Sequence, residues 1–88
     1  MTRRYVLSGR VQGVGFRYYV QGKAVELGIL GWVRNLPVGT VEALAQGRPD
    51  ALAEFEGCLR QGPRFAAVRE LRSFEAEDED LQRFSIER

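Results

Sequence analysis

Apolar and polar positions alternate with period two from Arg4 to Gln12, placing Tyr5, Leu7, Gly9 and Val11 on one face, the signature of a half-buried strand. The period then changes. Phe16, Val20, Ala24 and Leu27 recur at helical spacing, which predicts a helix from about Arg17 to Leu27, closed by Gly28. Gly22 inside that stretch costs roughly 1 kcal/mol relative to alanine and works against the helix. A short apolar and aromatic run, Ile29 to Asn35, and an alternating segment, Thr40 to Gln46, flank the turn Leu36-Pro37-Val38-Gly39 and read as a hairpin. Gly47-Arg48-Pro49-Asp50 supplies a helix start, with proline in the first turn and Asp50 and Glu54 near the positive end of the dipole. Leu52, Phe55 and Leu59 form the buried stripe of that second helix, and Gly62-Pro63 stops it. Ala66 to Phe74 reads as another strand and Phe84 with Ile86 as a short last one, with an acidic loop, Glu75 to Asp80, between them.

The order β-α-β-β-α-β plus a short terminal strand predicts an α+β fold, the ferredoxin-like split βαβ sandwich, with an antiparallel sheet carrying two helices on one face. In that topology the first and second strands run the same way with the third between them. The loop after Gln12 and the end of the second strand at Asn35 therefore open on one edge. The pattern does not specify a partner for the last strand.

Composition narrows the chemistry. A chain of 88 residues supports one domain, 1–88, with a single modest core and only a shallow site. No apolar run is long enough for a membrane span, and Met1-Thr2-Arg3-Arg4 leads into a strand rather than an apolar leader, so a cytoplasmic protein without a membrane partner is expected. With no histidine and one cysteine, Cys58, the chain cannot build a zinc site or a histidine-based triad. A net charge of +1 argues against a general nucleic-acid binder. Cys58 reads as small core filler, Trp32, Tyr18 and Tyr19 as packing or rim residues, and the acidic run as a solvated loop rather than a metal site.

The stretch Val11-Gln12-Gly13-Val14-Gly15-Phe16-Arg17 changes the picture, because two glycines and an arginine stand where strand becomes helix. Glycines let successive backbone N–H groups point into one concavity, a helix start adds its positive end, and a guanidinium offers a planar fork to two oxygens. The expected guest is a phosphate. The ordinary alternatives are a tight ligand-free connection for the glycines and a surface salt bridge for Arg17. Two nucleotide motifs fail on spacing: a dinucleotide loop needs glycine where Tyr18 stands, and an NTPase loop needs a Gly-Lys-Ser/Thr ending. Asn35, the only asparagine, is either a turn residue or, at the same edge as the cradle, an uncharged amide able to hold a water against a bound phosphorus.

Gly9-Arg10-Val11-Gln12-Gly13-Val14-Gly15-Phe16-Arg17, then Gly31-Trp32-Val33-Arg34-Asn35 and Gly39-Thr40-Val41-Glu42, resemble the acylphosphatase family. The resemblance continues through Leu52, Phe55, Leu59, Gly62 and Pro63 to Phe84 and Ile86 and covers nearly the whole chain. It implies a small ferredoxin-like enzyme that hydrolyses acyl phosphates without metal or cofactor. It also implies that Arg17 binds the phosphate with the backbone amides of Gly13, Val14, Gly15, Phe16 and Arg17, while Asn35 positions the attacking water. The lack of histidine fits such a reaction, since a carboxylate whose acid has a pKa of roughly 4 leaves without a general acid and a phosphate ester does not. The expected partners are a small acyl phosphate and inorganic phosphate, as product and weak inhibitor, with a monomeric chain and no nucleic acid. Three alternatives compete: an anion or amino-acid sensor of the same fold, an RNA-binding sheet, whose Arg/Lys-Gly-Phe/Tyr motif is missing, and the opening module of a hydrogenase-maturation carbamoyltransferase. The 88-residue length favours a free-standing enzyme.

Overall fold

Period-two burial organises the sheet. In the computed structural model, which describes residues 1–88, strand β1 (Thr2–Arg10) sends Tyr5 and Leu7 into the core and Arg4, Val6 and Ser8 to the opposite face. Strand β2 (Leu30–Asn35) contributes Val33, and β3 (Val41–Gln46) contributes Val41, Ala43 and Ala45 to the same core. Helix α1 (Phe16–Glu26) joins β1 to β2 and buries Phe16, Val20 and Ala24. Helix α2 (Pro49–Gln61) follows β3 and buries Leu52, Phe55 and Leu59; β4 (Ala67–Ala76) and β5 (Phe84–Ile86) complete the chain. Phe55 lies between Tyr5 and Phe84, its ring centroid 6.0 Å from each in edge-on contact, and so fixes α2 against both β1 and β5.

The strand order is β4-β1-β3-β2-β5. The β1–β4, β1–β3 and β2–β3 pairings are antiparallel, so β1 and β2 run in the same direction on either side of β3, as the element order predicts. The last strand adds in parallel to the outer edge of β2, from Gly31↔Phe84 to Val33↔Ile86, and makes the sheet a mixed one. The fold is thus a ferredoxin-like α+β sandwich.

Three local expectations are corrected. The first strand occupies 2–10 rather than 4–12: Thr2 is held between Gln46 and Ala76, whereas at the other end the register with β4 shifts at Ser8/Gly9 and Val11 is buried without joining the ladder. Alternating hydrophobicity reports burial, so it ran past the last hydrogen-bonded residue. Glu75 and Ala76 belong to β4, paired with Arg3 and Thr2, and the acidic loop begins after them. Part of that loop is tied down, since the Gln46 amide donates to the Glu79 carbonyl at 3.0 Å and accepts from its N–H at 2.8 Å. Cys58 is half-buried on α2 rather than part of the core. Its carbonyl accepts a 3.0 Å hydrogen bond from the Tyr19 hydroxyl, which links α2 to α1. Burial, with Cys58 and Glu26 nearby, raises the Tyr19 pKa above its ordinary value and keeps that hydroxyl a donor.

On the face without helices, Glu42 is buried between Arg4 at 3.1 Å and Arg34 at 2.7 Å. Those guanidiniums in turn lie over Phe74 and Trp32, 4.6 and 5.1 Å from the ring centroids. The aromatic faces are thus covered by the protein's own cations, unlike the open stacking platform of an RNA-binding sheet.

Gly22 is exposed in α1, and a Cβ built there meets nothing within 4 Å. Gly22→Ala is therefore expected to stabilise the fold by about 0.5–1 kcal/mol, raising Tm by a few degrees with turnover unchanged. A lower Tm in a thermal melt would mean that the glycine has a role its surroundings do not reveal.

Candidate active site

The chain leaves β1 at Val11, which is buried, and re-enters the core at Phe16, which is also buried. These two anchors fix a short loop between them. Within it Gly13 (φ 72°) and Gly15 (φ 77°) adopt left-handed backbone. A Cβ at either would meet nothing within 4 Å, so the requirement for glycine there is conformational and not steric. Gly15 is the N-cap of α1, and having no side chain it offers no capping acceptor.

The start of α1 is consequently left bare. Its first turn contains no acidic residue and no side-chain cap, and the first helical hydrogen bond is Tyr19 N–H to the Gly15 carbonyl at 3.1 Å. The N–H groups of Phe16, Arg17 and Tyr18 precede that bond and are the orphan donors every helix start presents. Arg17, in this same turn, forms no ion pair and no side-chain hydrogen bond in the structure. The surface salt bridge is therefore not what holds it. A cation at the positive end of a helix is unfavourable unless an anion joins it, and Arg17 lines one concavity with Gly13, Gly15 and Phe16.

Asn35, the last residue of β2, pairs with Val41 of β3 and lines the same concavity. Its Oδ1 is buried and has no hydrogen-bond partner, the only side-chain polar atom in that condition. Such an acceptor costs about 1–3 kcal/mol when left unmade, which singles Asn35 out among the residues of the concavity. The concavity measures about 100 Å³ and is lined by Val11, Gly13, Gly15, Phe16, Arg17, Tyr18 and Asn35. Phe16 keeps its ring in the core and so offers backbone. Larger surface hollows exist elsewhere, one of about 330 Å³ beside α2, but none of them combines an uncapped helix start with a free guanidinium.

Of the residues singled out from sequence, Gly13, Gly15, Phe16, Arg17 and Asn35 come together. Val14 stands apart from the lining and packs against the core. Tyr18 is 72% exposed at the rim, and Tyr19 turns inward to α2. Gln12, outside the lining, makes a contact the pattern did not announce: its side chain donates to the carbonyls of Leu36 and Thr40, each at 2.8 Å. Its only sequence signal was its place immediately before the loop.

Fold and site together define a ferredoxin-like α+β domain whose first helix opens on an anion-binding loop. The sequence profile described as Acylphosphatase matches residues 3–86. An acylphosphatase of Koribacter versatilis is 47% identical over 87 residues, covering 98% of this chain and 79% of that protein. The crystal structure of acylphosphatase from Bacillus subtilis superposes with a TM-score of 0.96 at 40% identity, covering 99% of this chain and 98% of that one. The structure of HypF from T. kodakarensis also matches, with a TM-score of 0.88 at 26% identity over all of this chain but 12% of the larger one. The chain belongs to the acylphosphatase family and is, with it, a hydrolase.

Proposed function

We propose that this chain hydrolyses acyl phosphates by attack of water at phosphorus, with Arg17 and the loop amides holding the phosphoryl oxygens and Asn35 orienting the water. The observation that carries this reading is the meeting, in one concavity, of an uncapped helix start, an unpaired guanidinium and a buried unpartnered amide oxygen. The first two accept a tetrahedral oxyanion, and the third accepts a hydrogen from the nucleophile. The acyl part projects from a hollow large enough only for the phosphoryl group.

In the step itself the water oxygen bonds to phosphorus as the P–O bond to the acyl group breaks. The electron pair leaves on the carboxylate, which needs no proton. Asn35 is no base at neutral pH, so the water's proton passes to a phosphoryl oxygen of the substrate. Catalysis then comes from positioning and from charge stabilisation of the transferring group. Inorganic phosphate, the product, occupies the same donors and is a weak competitive inhibitor. No residue in this scheme calls for a metal or cofactor, and the chain acts as a monomer.

Turnover of acetyl phosphate and benzoyl phosphate measured in EDTA tests the reading. Hydrolysis above the spontaneous rate, inhibited by added phosphate, is the expected result. Binding of phosphate without turnover would instead identify an anion sensor of the same fold.

A further inference from the structure

The backbone by itself does not connect the two halves of the site. The β1–β3 ladder ends at Leu7↔Val41, and Ser8, Gly9 and Arg10 pair with β4 alone. From there the loop that opens α1 leaves the sheet, and no backbone hydrogen bond joins it to the hairpin that carries Asn35. Two segments that must cooperate over one phosphorus atom are thus free of each other in the main chain.

Gln12 supplies the connection. Its Nε2 donates to the Leu36 carbonyl and to the Thr40 carbonyl, both at 2.8 Å. Those carbonyls stand at the mouth of the β2–β3 turn, where the Leu36 N–H also donates to the Thr40 carbonyl at 2.8 Å and Gly39 N–H to the Leu36 carbonyl at 3.1 Å. Both hydrogens of the amide are spent on the hairpin one residue past Asn35. Two donors on one planar nitrogen are what this geometry needs: an ionised carboxylate has none, and a thioether of equal length has none.

We propose that Gln12 is a positioning residue that sets the distance from the anion-binding loop to the Asn35 carboxamide without touching substrate. This rests on the reading that Asn35 orients the attacking water. The loop keeps its own shape through the buried anchors Val11 and Phe16, so loss of the amide leaves phosphate binding intact. What it releases is the hairpin, and with it the alignment of the water. Misplacement by about 1 Å at a reacting centre costs on the order of 100-fold in rate.

The test is a double-mutant cycle of Gln12→Met with Asn35→Ala, read as kcat for benzoyl phosphate and as the inhibition constant for inorganic phosphate. Q12M alone is expected to lower kcat by roughly 10- to 100-fold with phosphate inhibition unchanged within about 2-fold. Because it acts through Asn35, Q12M is expected to slow N35A by less than about 2-fold further. If N35A itself retains full kcat, the water-orienting role of Asn35 fails. If N35A is slow and Q12M is not, or if the two losses multiply, or if Q12M loses phosphate inhibition along with kcat, the positioning role alone fails. Should Q12M not fold by circular dichroism, Gln12→Ala, which removes the donors without adding a charge beside the anion loop, carries the same comparison.

Discussion

Arg17→Ala is expected to reduce kcat/KM for acyl phosphates by 10²- to 10³-fold, on the scale of losing one preorganised oxyanion donor, and to abolish inhibition by inorganic phosphate in the accessible range. On the proposed reading the guanidinium holds the phosphoryl oxygens in the ground state and more strongly in the transition state, so binding and rate fall together. Stability should move the other way or not at all. Arg17 forms no ion pair, and it places a positive charge against the positive end of α1, so its removal relieves a small repulsion. A melt showing Tm unchanged or raised beside collapsed turnover distinguishes a binding residue from a structural one. Arg17→Lys should recover little, because a point charge does not reproduce the planar fork. Turnover of R17A within about 10-fold of the parent would remove Arg17 from the mechanism.

Asn35→Ala is expected to divide the same two observables. Asn35 lines the concavity and carries no charge, so on the proposed reading phosphate affinity should stay near that of the parent while kcat falls by about 10²-fold. Deleting a buried acceptor that has no partner also removes a desolvation cost, so the variant should be no less stable than the parent. Loss of phosphate binding in a folded N35A protein would show that the amide holds the anion itself. The contrast is therefore sharp: R17A loses binding and rate, N35A rate alone.

Much of this was legible in the chain. The period change between Val11 and Phe16 located the loop, and the element order, which sets β1 and β2 running the same way on either side of β3, placed Asn35 at the edge of Gly13 and Arg17. The parallel seat of β5 was not legible, since three alternating residues at the end of a chain carry no register and fit either edge of a sheet. Gln12 escaped for a different reason. Its partners are main-chain carbonyls, which every residue possesses, so no pattern of side chains could announce that Leu36 and Thr40 receive it. Val14 packs its side chain against the core between the left-handed Gly13 and Gly15, so what it has to offer the loop is its backbone N–H.

The bare start of α1 has one more consequence. Neither helix has a side-chain cap, but α2 carries Asp50 in its first turn and α1 no acid at all; on the proposed reading α1 borrows its anion from the phosphoryl group and gives it back at each turnover. Occupancy and folding then draw on the same N–H groups, so bound phosphate raises the free energy of unfolding in proportion to the logarithm of its concentration above Kd. Depletion of substrate and product leaves the first turn to water, and the enzyme is firmest when it has work to do.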